Sequence, residues 1–128
     1  YELLFFDINT DALAKSKQNP HATSLKDIEW ATNSCVLSWG TKEVWDTDMD
    51  GSDVNAVDIF QNKLVVTGDD HGHVCLFRYP VLESTNKQKR FDGHSAHVTN
   101  VRFTPDGKRV ISCGGGDKAV VQWRVVTK

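Results

Sequence analysis

Residues 110–123 read VISCGGGDKAVVQW. Three glycines ahead of an Asp-Lys pair suggest a phosphate cradle, which needs a strand, a glycine-rich loop and then a helix whose N-terminus faces the anion. After Asp117 the residues alternate as a strand does, and no Ser or Thr follows Lys118. The run therefore reads as two strands joined by a sharp glycine turn. Residues 64–77, LVVTGDDHGHVCLF, repeat that plan 46 positions earlier: an apolar strand, a Gly/Asp turn and a second strand ending in an aromatic.

The repeat extends upstream. Val98-Thr99-Asn100-Val101-Arg102-Phe103 matches Val54-Asn55-Ala56-Val57-Asp58-Ile59 at an offset of 44, and the difference falls around the Pro105-Asp106-Gly107 turn. Hairpin loops tolerate such insertions. A third, compressed copy is read at residues 28–45, where CVLSWGTKEVW would supply a second and third strand. Cys35 and Cys113 each stand ten residues before a Trp, so they share a repeat position. With Cys75 they make an odd set without a CxxC pair, which argues against a disulfide framework and a zinc ribbon.

A period near 44 with several short strands per unit predicts β-propeller blades. The expected fold is all-β: an antiparallel propeller sector of about three blades, an incomplete ring, because closure takes about 4–8 blades. The expected division is a strand of a preceding blade over residues 1–8, a compressed blade over 22–46, a second blade over 54–92 and a third over 93–126. Only eight residues separate Trp45 from Val54, so the compressed blade is expected to lack an outer strand within 46–53. Residues 11–15 are read as a loop or a single turn. Val110, Ile111, Val120, Val121 and Trp123 are expected in the core, as are their counterparts Leu64, Val65, Val74, Cys75 and Phe77.

Composition is that of a globular domain, with 39% hydrophobic and 25% charged residues. No apolar run has the length of a membrane helix, and the first residues lack the pattern of a leader, so neither is expected. The absence of an initiator Met suggests a piece of something longer. The net charge of −2 is unevenly spread, with acids concentrated before residue 80 and bases after it. Lys87, Lys89 and Arg90 fall together on the expected outer strand of the second blade, a possible meeting point for an acidic partner.

Other clusters weigh against chemistry. Asp69-Asp70-His71-Gly72-His73 offers zinc-type ligands, but neighbours on a strand turn rarely converge on one ion. DTDMDGSD, residues 46–53, begins like a calcium loop, yet position 12 is Val57 rather than Glu, and no helix flanks it. His94, Ser95 and His97 lack a nucleophile elbow. Basic residues lack the interleaved aromatics that stack bases. No enzyme activity, metal, cofactor or nucleic acid is expected.

Gly93-His94, Val98, Val101-Arg102-Phe103, Pro105-Asp106-Gly107, Asp117 and Trp123 together resemble a WD40 repeat. The resemblance implies a hydrogen-bonded set of His94, Asp117 and Trp123, with Cys113 at the position where Ser or Thr is usual. The middle unit departs from the pattern: no His matches His94, and His71 stands where Asp would. TGDDHGHVCLFRYP and GHSAHVTNVRF, with SLKDIEWATNSCVLSWG upstream, more closely resemble the echinoderm microtubule-associated protein-like family, near the C-terminal end of its tandem propellers. That implies a non-catalytic scaffold binding tubulin or microtubules, cytoplasmic and cytoskeletal, completed by the remaining blades of the parent propeller. The family also attaches through an N-terminal coiled coil, which is not in these residues. The alternative is a WD40 adaptor for another protein or peptide, with a calcium loop at Asp46–Asp53 as a lesser variant.

Overall fold

The structure is a computed structural model that describes residues 3–7, 17–18, 22–83 and 88–126. It divides into two compact units, Tyr1–Ala31 and Thr32–Lys128. The first holds a short antiparallel pair, β1 (Phe6–Asp7) with β2 (Lys17–Gln18), and a 3-10 turn at Ala22–Leu25. Phe5 and Trp30 stack within it, ring centroids 5.5 Å apart. The expected loop at 11–15 lies outside the described residues.

The second unit carries two antiparallel sheets. One is ordered β3 (Val54–Phe60), β4 (Leu64–Asp69), β5 (His73–Arg78), β6 (Lys89–Asp92); the other is β7 (Val98–Phe103), β8 (Arg109–Gly114), β9 (Val120–Arg124). The chain is all-β in these sheets, and they do not close on one another. Both innermost strands carry a register shift near their start, between Val54 and Ala56 and between Val98 and Asn100. Such a bulge breaks the strict two-residue alternation. Ala56 and Val57 are consecutive and both buried, one toward each face of the first sheet.

The first sheet is buried on both sides. Ala56, Val66 and Val74 meet Val98, Val101 and Val110 of the second sheet. Gly68 lies against Val98 and Val101, where a Cβ would intrude. The inner strands are also tied by polar bonds: Phe103 N–H donates to Asp58 Oδ2 at 2.8 Å, and Asn55 Nδ2 donates to the Val98 carbonyl at 3.1 Å. On the opposite face, Val57, Val65, Cys75 and Phe77 pack with Val44 and Val81, and Val36, Trp45 and Met49 border them. Burial of this kind contributes about 25 cal/mol per Å² of apolar surface.

The strands expected in 35–45 are not there. Among the described residues, 22–53 contain 3-10 turns at Ala22–Leu25 and Trp39–Thr41 and no strand. The reason lies in local hydroxyls. Thr41 Oγ1 donates to the Val36 carbonyl at 3.1 Å and bonds Ser38 Oγ at 2.8 Å, while Thr41 N–H reaches the Ser38 carbonyl. These bonds satisfy groups that a sheet ladder would otherwise use. An outer strand in 46–53 is absent, but so are the inner strands it would have joined.

Two further expectations differ. Val120 is 71% exposed, because it sits on the face of β9 that turns away from the first sheet. Ile111 lies on the same outward face of β8 and is only half-buried. The outer strand expected near 87–91 is β6, shorter and shifted by one residue at its end.

Candidate functional site

The loops after β6 and β8 bring His94, Ser112, Asp117 and Trp123 into one chain of hydrogen bonds. Trp123 Nε1–H donates to Ser112 Oγ at 2.8 Å. Ser112 Oγ lies 2.7 Å from His94 Nε2, and His94 Nδ1 lies 2.9 Å from Asp117 Oδ2. One proton arrangement satisfies every member: Ser112 O–H donates to Nε2, and Nδ1–H donates to the carboxylate. Asp117 also accepts from the Ala119 and Ser95 amides. These bonds, the Ala119 amide first and then the His94 ring, hold its carboxyl below the usual carboxylate range against a smaller opposing effect of burial. Gly93 lets the chain pass against the Trp123 ring, where a Cβ would collide.

The hydroxyl in this chain is Ser112, which corrects the placement of Cys113. Side chains alternate along a strand, so a one-residue slip moves a group to the other face. Val110 and Ser112 share the face of Trp123 and are buried; Cys113 pairs with Val120 on the outward face and is half-buried. Reading the alternation of Val110-Ile111-Ser112-Cys113 outward from the strand's buried valine would have found Ser112. The ten-residue spacing to Trp obscured it.

A Ser–His–Asp sequence of bonds is also the arrangement of a hydrolytic triad. Here Ser112 is fully buried and its oxygen already accepts the Trp123 indole N–H. No reacting atom can approach it, so the set fastens the blade rather than attacking a substrate. Ser95 uses its backbone amide in the same network.

The middle blade solves the same corner differently. Asp69, fully buried, accepts from the backbone amides of His71 and His73 at 2.9 and 2.8 Å. His73 Nδ1 stands 3.0 Å from Asp69 Oδ2, and its Nε2 is 3.4 Å from Asp92 at the end of β6. Sequence matching had placed His71 at this corner; the ring that engages the buried carboxylate is that of His73. Among the described residues no group of three or more His, Cys, Asp or Glu is placed to hold a metal ion.

The acidic run at 46–53 is likewise engaged by its surroundings. Asp46 Oδ2 accepts from Arg90 Nη2 at 2.7 Å and Gln88 Nε2 at 2.9 Å, which fastens β6 to this segment. Asp50 binds its own turn through the Ser52 hydroxyl and amide, and these bonds, the hydroxyl first, hold its carboxyl below the usual carboxylate range. Of the basic trio, Lys89 is exposed on β6, Arg90 is committed to Asp46, and Lys87 lies outside the described residues. Cys75, next to Arg90 in the ladder, is buried, and burial first of all pushes its thiol up to about 11. No helix among the described residues is long and apolar enough to cross a membrane.

Comparison with known proteins places this architecture. Residues 1–125 match the family described as "Echinoderm microtubule-associated protein second beta-propeller". Echinoderm microtubule-associated protein-like 2 of Homo sapiens is 41% identical over 98% of this chain, which corresponds to 19% of that protein's length. The 77 kDa echinoderm microtubule-associated protein of Lytechinus variegatus is 42% identical over 98% of the chain and 18% of its own length. Echinoderm microtubule-associated protein-like 4 of Homo sapiens is 38% identical across the whole chain, 13% of its length. The chain thus spans no more than about a fifth of these relatives. With two blade-like sheets, the buried His94–Ser112–Trp123 fastening and a family match across nearly every residue, the chain belongs to the echinoderm microtubule-associated protein family, in its second β-propeller.

Proposed function

We propose that this chain is a sector of a non-catalytic WD40 propeller that acts as a protein-interaction scaffold on tubulin or microtubules, at the cytoskeleton in the cytoplasm. Its blades are residues 54–92 and 93–126. Residues 22–46 take the place of a compressed blade as strandless chain, residues 1–8 belong to the blade before it, and the remaining blades of the parent protein complete the ring. The observation that carries this reading is the second-propeller match over residues 1–125, among relatives whose names state microtubule association. A non-catalytic role is supported by the site chemistry, since His94, Ser112 and Asp117 satisfy one another in the interior. Lys89 and Arg90 are candidate partner contacts on the outer strand, with Lys87 beside them in sequence. For Arg90 to serve, it exchanges Asp46 for a partner's carboxylate.

Co-sedimentation of the full-length protein with microtubules, paired with capture of soluble tubulin, tests the reading. Binding to either supports it; no binding to both by a folded protein overturns the tubulin assignment in favour of an adaptor for another protein. Charge reversal at Lys89 and Arg90 is expected to weaken that binding and flatten its salt dependence.

A further inference from the structure

Strand direction sorts the charges of the second unit between its two ends. β3, β5, β7 and β9 finish at the end that carries the turns before β4 and β8. The inner strands of the two sheets run alongside in the same sense, since Asn55 meets Val98 and Asp58 meets Phe103. Both sheets therefore present these turns at one common end.

Each sheet places a basic pair there, at matching positions. In the first sheet Lys63 ends the turn before β4 and Arg78 ends β5; the Lys63 carbonyl accepts the Tyr79 amide at 3.0 Å. In the second sheet Lys108 ends the turn and Arg124 ends β9; the Lys108 carbonyl accepts the Val125 amide at 2.9 Å. Backbone bonds fix all four stems equivalently while the side chains stay exposed. Arg109 adds a fifth charge directly opposite Arg124 in the ladder. Like charges facing one another across two strands destabilise a sheet, and this pair lies on the outward face of the second sheet with Val120, at the rim that a further blade would meet. None of the five forms an ion pair with a described residue.

Two acids at this end are engaged within the two sheets, and Glu43, held by its amide to the Val81 carbonyl, stands beyond the end of β5. Asp106 holds its own turn through Thr104 Oγ1 and the Lys108 amide, and Asp58 accepts the Phe103 amide. Most carboxylates of the two sheets gather at the other end, at Asp53, Asp69, Asp70, Asp92 and Asp117.

We infer that the end bearing Lys63, Arg78, Lys108, Arg109 and Arg124 is a docking surface for an extended acidic polypeptide segment. Basic pairs repeated from blade to blade suit a chain of carboxylates laid across the blades better than a single compact anion. A nucleic acid is disfavoured because the two phenylalanines at this end pack on each other. Phe60 and Phe103 have ring centroids 5.6 Å apart, and Gly107 lies against the Phe60 ring. Neither ring is free on both faces to stack on a base. This surface lies apart from Lys89 and Arg90, and it rests on the microtubule-scaffold reading only for the partner's identity.

The test uses the full-length protein, a fluorescent glutamate oligopeptide followed by anisotropy, and microtubule co-sedimentation in parallel. Lys63→Glu with Lys108→Glu is expected to weaken oligopeptide binding roughly tenfold and to flatten its salt dependence. Lys118→Glu, in the loop at the opposite end, is expected to leave it unchanged. The milder Lys63→Gln with Lys108→Gln keeps the test valid if the reversals unfold, with thermal melting as the check. Oligopeptide affinity unchanged in these variants overturns the inference, as does a single-stranded oligonucleotide of equal charge binding as tightly. Oligopeptide binding lost while microtubule binding persists unaltered supports the docking surface and assigns the microtubule contact to another part of the protein. Loss of oligopeptide binding in a protein that never binds microtubules supports the docking surface and overturns the partner assignment.

Discussion

The indole N–H of Trp123 donates to Ser112 Oγ, 2.8 Å away, and the same oxygen lies 2.7 Å from His94 Nε2. One hydroxyl thereby joins β8 to β9 and both to the loop after β6. Ser112→Ala leaves two buried groups without partners, and such a loss costs about 1–3 kcal/mol. Cys113→Ala, one residue on, removes only a half-buried side chain on the outward face and is expected to cost less. Thermal melting of the two variants side by side checks the order; equal losses would contradict the assignment of Ser112.

Asp117 gives the same blade an acid limit. Its folded carboxyl titrates below its unfolded value, held down first by the Ala119 amide and then by His94. The unfolded chain therefore takes up the proton first as pH falls. The stabilisation is full above about pH 4, the ordinary carboxylate value, and is lost as pH drops through the lower folded value. Asp117→Asn is expected to lower the melting temperature at neutral pH and to flatten its decline between about pH 4 and pH 2. An unaltered acid profile would show that other carboxylates govern it.

Trp45 and Trp123 each stand ten residues after a cysteine but differ in setting and chemistry. Trp45 Nε1 is buried with no hydrogen-bond partner among the described residues, whereas Trp123 Nε1 has Ser112. Trp45→Phe removes an unsatisfied donor along with some packing area, and these effects oppose each other. Trp123→Phe removes a made bond and leaves Ser112 short of a donor, for a loss of about 1–2 kcal/mol beyond that of Trp45→Phe. Chemical denaturation of both variants measures the difference, and a larger loss at position 45 would count against it.

The three cysteines should separate by reactivity. Cys35 is exposed, Cys113 half-buried and Cys75 buried with its thiol raised to about 11. The thiolate is the reacting form. Alkylation at about pH 8 followed by mass spectrometry is expected to mark Cys35 first and to leave Cys75 unmodified until denaturant is added. Early labelling of Cys75 would mean that the first sheet opens readily.

The strands of 54–126 were legible because their alternation and their Gly/Asp turns repeat at nearly constant spacing. The compressed copy misled because spacing to Trp45 was all it shared. Ser38 and Thr41 turn the chain locally, and their bonds leave no trace in an apolar pattern. At the site, His94, Asp117 and Trp123 could be named from resemblance, but the hydroxyl was missed by one position, since spacing does not report which face a strand residue occupies. His73 was missed because its partner Asp69 lies four residues away at the end of β4, a contact set by turn geometry rather than by the repeat. The common basic end could be seen only after strand direction was known.

The segment carrying Val36, Val44, Trp45 and Met49 has one more consequence. It seals one flank of the first sheet with irregular chain, while the outward flank of the second sheet keeps Ile111, Cys113 and Val120 in strand form. Both faces of the first sheet are therefore dressed within this chain, whereas the second sheet leaves its outward face for a neighbouring blade to cover.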